Sequence, residues 1–458
     1  MAKCQHNALN ALYRRHLTLP PNPFRIPFHP SFLRHVAAKV APNHSWATVD
    51  LQGSWMDKKT VAKITAIEES VKYDPIELQK AKSFVKREVN PDIPTKARLI
   101  QGNKNDRTAY LHPDEYRSIA HAFQNLVFVE DGVEFDLHYT SHLNADQISD
   151  LYTLETQRPG HKYYDERDGK NWDSTMQREH MEFESLVYEL FNKEIADNHR
   201  LRSSSTTGTI RVADVVIKYV TCWKRLSGDW NTSIGNTIIS MAICVTVILG
   251  LPAYLRPRRV CGFFLGDDYL GVYNYASQID RFLLNRAMHD GEASMGITPV
   301  RNVFDDPLMC EYISMTACPT HDGRIQFVPK ISNMMAKLFY SVHGLCSHTA
   351  QDVQATVDAL SPTFQGLQIM EKFLAHHKRA WRTKRPPKLF GYLKSQHFLG
   401  TVSSEARRVN WAFGMAWKYR LPLSIFDFEL PNDHAAFLLR HPAIDLLYDL
   451  EHRDPDLR

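Results

Sequence analysis

Two short apolar runs meet at an acidic tip: Val260-Cys261-Gly262-Phe263-Phe264-Leu265, then Gly266-Asp267-Asp268, then Tyr269-Leu270-Gly271-Val272-Tyr273. Apolar and aromatic runs of strand length joined through Gly-Asp predict a β-hairpin. Such a tip pushes two adjacent carboxylates out of its sheet, where they can meet a metal ion. Carboxylate oxygens suit a hard cation such as Mg²⁺, which keeps some water and binds substrate phosphates. Alone, the tripeptide fits a solvated loop equally well, because acidic residues favour turns.

The 458 residues are ample for several lobes around one cleft, and 43% hydrophobic with 23% charged is the balance of a soluble globular protein. A net charge of +4 permits a nucleic-acid partner without demonstrating one. The seven cysteines (Cys4, Cys222, Cys244, Cys261, Cys310, Cys318 and Cys346) form no CxxC pair. That suggests neither a disulfide framework nor a zinc ribbon and favours free thiols in a reducing compartment. Cys346 and His348 alone are too few for a metal site. Arg14-Arg15 leads into the proline-rich Pro20–Pro30 stretch, not into a secretory signal, and an extended arm over another lobe is expected there. The most apolar segment, Ile238 to Leu255, is broken by Ser240, Thr246, Gly250 and Pro252, so a buried core helix is expected rather than a membrane span. Phe183, Leu186, Val187, Leu190 and Phe191 predict one helix near 176–197. The β-branched run Ile210–Val220, interrupted at Ala213-Asp214, predicts a hairpin.

Three further strings carry chemistry. Asp168-Gly-Lys-Asn-Trp-Asp173 places two carboxylates between a strand starting near Lys162 and the predicted helix; one could bind metal and the other inspect a sugar. Helix capping by Asp173 and Ser174 is the plain alternative. In Ser227-Gly228-Asp-Trp-Asn-Thr232-Ser-Ile-Gly-Asn236-Thr237, Thr232 and Asn236 are four apart and share a helical face, which could offer a hydroxyl and an amide to a ribose. Upstream, Phe84-Val85-Lys86-Arg87-Glu88 and Lys96-Ala97-Arg98-Leu99-Ile100 alternate cations with apolar residues, as on a half-buried strand pair that could neutralise a triphosphate. A charge run is also an ordinary solvated face.

The order of these strings, over roughly residues 84–316, closely resembles the RNA-dependent RNA polymerases of positive-strand RNA viruses, and the SGDWNTSIGNT string looks most like tombusvirus- and nodavirus-related enzymes. The resemblance implies an α+β right hand with closed fingertips. Its N-terminal arm and fingers would span 1–160. A palm, an antiparallel sheet flanked by helices, would span 161–318 with a finger insertion at about 182–225, and a mostly helical thumb 319–458. It implies that Asp168 and Asp267, assisted by Asp268, hold two Mg²⁺ or Mn²⁺ ions, one activating the primer 3′-hydroxyl and one stabilising departing pyrophosphate. Asp173 and Asn236, helped by Ser227 or Thr232, would bind the ribose 2′-hydroxyl. Lys86, Lys96 and Arg98 would grip the incoming nucleoside triphosphate. Cys310-Glu311-Tyr312-Ile313-Ser314 resembles a primer-grip hairpin, although an ordinary connecting strand fits it too. Lys378, Arg379, Arg382, Lys384, Arg385 and Lys388 around Trp381 would meet product phosphates, or form a solvated helix end.

Two positions depart from the family pattern. The strand before Asp168 reads Lys162-Tyr-Tyr-Asp-Glu-Arg167 rather than apolar, leaving Asp165 as a competitor to Asp168. No lysine occurs from Arg281 to Arg301 to protonate pyrophosphate; Arg301 would serve as an electrostatic clamp, with His289 a lesser substitute. The implied partners are template and product RNA, nucleotides and other viral replicase proteins. The implied location is the host cytoplasm, at replication membranes reached through a partner. A reverse transcriptase is the nearest rival; a non-catalytic RNA-binding scaffold would not need both metal-binding aspartates, and a hydrolase leaves three strings unexplained.

Overall fold

The computed structural model describes residues 23–40, 79–86, 98–103, 113–169, 171–212, 215–229, 231–330, 368–380 and 409–420, with six single positions between 354 and 364. In chain order the elements are α1 (Pro30–Val40), β1 (Lys80–Lys86), β2 (Arg98–Asn103), α2 (Pro113–Gln124), β3 (Leu126–Glu130), β4 (Val133–Tyr139), α3 (Ala145–Gln157), β5 (His161–Gly169), α4 (Trp172–Thr175), α5 (Arg178–Glu189) and α6 (Lys193–Ser204). Then follow β6 (Thr206–Val212), β7 (Val215–Thr221), α7 (Thr232–Gly250), β8 (Arg259–Leu265), β9 (Asp268–Tyr275), α8 (Arg281–Ser294), β10 (Pro299–Phe304), β11 (Glu311–Tyr312), β12 (Met315–Pro319), β13 (Ile325–Pro329), α9 (Gln368–Ala380) and α10 (Trp411–Tyr419).

The central sheet has the order β10-β5-β9-β8-β4-β3. It is antiparallel except where β4 runs parallel to β8. Strands β3 and β4 therefore belong to the sheet that carries the acidic hairpin, although they lie upstream of the expected boundary at 160. Alternate residues face two cores, as a pleated strand requires. Tyr163, Tyr269, Tyr273 and Tyr275 join the core under α7, while Tyr164, Leu270 and Val272 join the one under α3 and β13. A second sheet, β2-β1-β6-β7, pairs strands from before the central sheet with the hairpin inserted after α6. The expected break at Ala213-Asp214 agrees with the register, in which Val212 faces Val215. A small sheet β11-β12-β13 follows.

The long apolar segment forms α7, whose residues from Ile234 to Leu249 are all buried. It is long and apolar enough to cross a membrane, but 89% of it lies inside the protein, packed on the central sheet, α5 and α8. Residues 24–29 are laid over this unit. Phe28 stacks on Phe183 at 4.0 Å, Arg25 N–H donates to the Ser294 carbonyl, and His29 N–H to Thr246 Oγ1. Pro30 then starts α1, where its missing N–H costs nothing.

The expected single helix near 176–197 is instead two, α5 and α6, with the single turn α4 just before them. Met176 and Gln177 separate α4 from α5. Asn192 breaks α5 from α6, because its side chain accepts from Glu194 N–H at 2.8 Å and starts a new helix.

Candidate active site

At the tip, Leu265 pairs with Asp268, so Gly266 and Asp267 are the two turn residues. Gly266 has φ +69°, which needs glycine at the first turn position. Its N–H donates to Thr237 Oγ1 at 2.8 Å, and that hydroxyl donates to the Ser233 carbonyl at 2.9 Å. The buried first turns of α7 thus fix the height of the tip. In the register of β5 with β9, Arg167 faces Tyr269. One step further out, Asp168 comes opposite Asp268. Asp168 is exposed; Asp267 and Asp268 are half-buried.

Asp173 arrives from a third segment. The chain leaves β5 through Asn171, in the left-handed region at φ 54°, and enters the single turn α4. Trp172 is buried there under the Arg167 guanidinium, 5.3 Å from its ring centroid. Lys224 Nζ holds the far end of that turn by donating to the carbonyls of Ser174 and Met176. Asp267 feels the other two aspartates. Burial, then the charge of Asp173, then that of Asp168 push the Asp267 carboxyl up to about 6. Oxygen donors from three segments that repel one another are a donor set a hard divalent cation fits, because its charge removes the repulsion. Elsewhere on the sheet Asp136, His138 and Cys261 bring ligand atoms within 4.8 Å of one another. There the Arg259 guanidinium donates to Asp136 at 2.6 Å, and burial keeps the Cys261 thiol protonated well above its ordinary range. This group suits a cation poorly and lies four residues or more from the tip along β8.

Asn236 and Asp173 are brought together: Asn236 Nδ2 donates to Asp173 Oδ1 at 3.1 Å. Thr232 departs from its expected part. Its hydroxyl donates to the carbonyls of Leu226 (2.9 Å) and Asp229 (2.8 Å), closing the loop that leads into α7. Asp229 is held in a buried two-pronged ion pair with Arg202. Ser227 sits half-buried within that loop. In the second sheet Lys86 lies directly opposite Arg98 in the β1–β2 register, while Lys96 falls outside the described residues. So do Trp381, Arg382, Lys384, Arg385 and Lys388. At Cys310–Ser314 the chain does form a hairpin, with Ile313 and Ser314 both at positive φ between β11 and β12.

Arg301, expected as an electrostatic clamp on pyrophosphate, is buried and ion-paired instead. Its side chain is 1% exposed and donates to Asp165 at 2.6 Å and to Glu292 at 2.5 Å. Glu292 also accepts from Arg167 at 2.7 Å, and Tyr273 donates its hydroxyl to Asp165. Two buried cations and two buried anions therefore neutralise one another beneath the sheet. Asp165 is used up in this cluster, so it does not compete with Asp168. The same cluster explains the polar strand: Asp165 and Arg167 are the inward residues of β5.

Sequence reasoning missed four residues that hold the site: Thr237, Arg225, Glu184 and Arg167. Thr237 adjoins the quoted Asn236. Glu184 was visible as a carboxylate on the apolar face defined by Phe183 and Val187. Nothing in a single sequence distinguishes Arg225 or Arg167 from a surface cation.

A mostly antiparallel sheet with an acidic hairpin tip, a second aspartate on the adjacent strand and an amide-bearing helix behind them are compatible with a polymerase palm. Residues 167–255 match the family model for viral RNA dependent RNA polymerase, which supports RNA-dependent RNA polymerase activity. No match was found among curated proteins.

Proposed function

We propose that the chain replicates a positive-strand RNA genome, joining nucleoside triphosphates to an RNA 3′-hydroxyl on an RNA template. The observation that carries this reading is the convergence of Asp168, Asp173 and Asp267, with Asn236 bound to Asp173. Asp168 and Asp267, with Asp268 beside them, would hold two Mg²⁺ or Mn²⁺ ions. When bound, these supply activation of the attacking hydroxyl and neutralisation of the departing pyrophosphate. Asp173 would accept a hydrogen bond from a ribose 2′-hydroxyl, with the Asn236 amide beside it, which a deoxyribose cannot supply. Thr237 holds the tip at fixed height, so the aspartates need not reorganise during the reaction. Lys86 and Arg98, opposite each other on β1 and β2, would meet the triphosphate. We assign the second sheet to fingers, the central sheet to the palm and the C-terminal helices to a thumb. The site of action would be host replication membranes, reached through another replicase protein.

The test is template-dependent incorporation of labelled ribonucleotides by the purified chain with Mg²⁺ or Mn²⁺. Asp267→Ala abolishes incorporation while the circular dichroism spectrum stays native; equal synthesis by both proteins refutes the site. Preference for deoxyribonucleotides would favour the reverse-transcriptase reading instead.

A further inference from the structure

Behind the sugar-reading pair lies a buried polar relay that the proposed reaction does not itself require. Arg225 Nε donates to Asn236 Oδ1 at 2.8 Å, and its backbone N–H donates to the Asp173 carbonyl at 3.3 Å. The rest of the guanidinium grips the Glu184 carboxylate, with Nη1 at 3.2 Å from Oε1 and Nη2 closer still to Oε2. Glu184 is completely buried in α5. It also accepts from Asn231 Nδ2 at 2.7 Å and the Tyr188 hydroxyl at 2.6 Å, and His199 Nε2 lies 3.5 Å away. Helix α7 accommodates the pair only through Gly235: a Cβ there would overlap Glu184 Oε1 and fall 2.7 Å from Arg225 Nη2.

The chemistry of the donors settles how Asn236 is turned. An amide can present oxygen or nitrogen to a neighbour, but a guanidinium nitrogen only donates. Arg225 therefore demands the Asn236 oxygen, which sends Nδ2 toward Asp173, an acceptor. With the amide reversed, two donors would face each other at Arg225 and two acceptors at Asp173, and neither hydrogen bond could form. In the observed orientation Asp173 Oδ1 is occupied, and Oδ2 has no hydrogen-bond partner among the described residues.

We propose that Arg225, clamped by Glu184, is a positioning residue for sugar selection: it locks the Asn236 amide so that one Asp173 oxygen stays open to the 2′-hydroxyl. This rests on the sugar-reading role proposed above for Asp173 and Asn236. Arg225→Lys keeps a buried positive charge for Glu184 but loses the planar fork that serves two acceptors at once.

The experiment compares kcat/KM for ATP and 2′-deoxy-ATP opposite a template uridine, on an RNA primer–template, with thermal melts run in parallel. Arg225→Lys lowers the ribose preference about tenfold, the scale of one lost hydrogen bond, mainly through ATP. In an Asn236→Ala background the preference is already reduced, and Arg225→Lys lowers it no further. Equal loss for both nucleotides, or the same loss of preference in the Asn236→Ala background, overturns the proposal. So does a wild-type enzyme that prefers ATP and a folded Arg225→Lys enzyme that prefers it equally. A wild type that extends with neither nucleotide removes the proposed function itself, and the positioning role falls with it. If the melt shows Arg225→Lys unfolded, the isosteric Glu184→Gln loosens the same guanidinium and is judged by the same outcomes.

Discussion

At the scale of single residues, the same side-chain type serves opposite ends according to burial and neighbours. Asp165 lies within β5 and Asp267 in the turn between β8 and β9. Asp165 is fully buried yet matched by Arg301 and the Tyr273 hydroxyl, whereas Asp267 is only half-buried but faces Asp173 and Asp168. The Asp267 carboxyl is raised from 3.8 to about 6, so the folded protein holds its proton more tightly than the unfolded chain. Its contribution is most favourable below pH 3.8 and is lost as pH rises through 6. At pH 7.5 without divalent cation, Asp267→Asn is expected to stabilise the fold by on the order of 1–2 kcal/mol after solvent screening, while synthesis is lost. Urea titrations at pH 5 and 7.5 check this; no gain at the higher pH would mean the aspartates do not repel. Arg301 should behave the other way. Arg301→Met leaves Asp165 and Glu292 short of a counter-charge and should cost about 3–5 kcal/mol in the same titration. A stable variant slowed only in pyrophosphate release would restore the electrostatic-clamp role. The sequence displayed Asp168, Asp173, Asn236 and Asp267 because their spacing is a recurrent string. It misdirected Arg301 because a lone arginine carries no mark of being paired inside.

At the scale of elements, what was legible followed from periodicity, and what was not followed from polar residues turned inward. The hairpin at Gly266-Asp267 and the strand pair around Ala213-Asp214 were plain, because both have apolar or β-branched runs on either side of a break. Strand β5 was hard to read because the opposite charges that match its inward Asp165 and Arg167, Arg301 and Glu292, lie more than a hundred positions away. The split of α5 from α6 hinges on one capping side chain, Asn192, inside an otherwise continuous apolar stripe. Helix α7 offers a prediction in which two effects oppose each other. In a helix interior, Gly→Ala ordinarily stabilises by about 1 kcal/mol. At Gly235 the added methyl would displace the Glu184–Arg225 pair, which is buried and cannot swing into water. Gly235→Ala is therefore expected to lower the melting temperature and weaken ribose preference together. A rise in melting temperature would show that the pair has room to move.

At the scale of the whole molecule, the candidate site is where three separately stabilised pieces meet: the C-terminal end of β5, the turn α4 and the β8–β9 hairpin. Each is anchored from behind, by the Arg167–Glu292–Arg301–Asp165 cluster, by Lys224 on the carbonyls of α4, and by Thr237 on the tip. The anchors hold like charges close together, so the fold stores repulsion that a cation can release. A ligand that binds only the folded state stabilises it by about 2.7 kcal/mol at a hundred times its dissociation constant. In a chain of this length that is a melting shift on the order of a few degrees. Mn²⁺ or Mg²⁺ at pH 7.5 should therefore raise the melting temperature of the wild type, and do so less at pH 5, where Asp267 is protonated. The Asp168→Asn, Asp267→Asn double variant should start higher without cation and stay where it is when cation is added. If wild type and double variant shift equally, the ions bind elsewhere, and Asp136, His138 and Cys261 become the next residues to change.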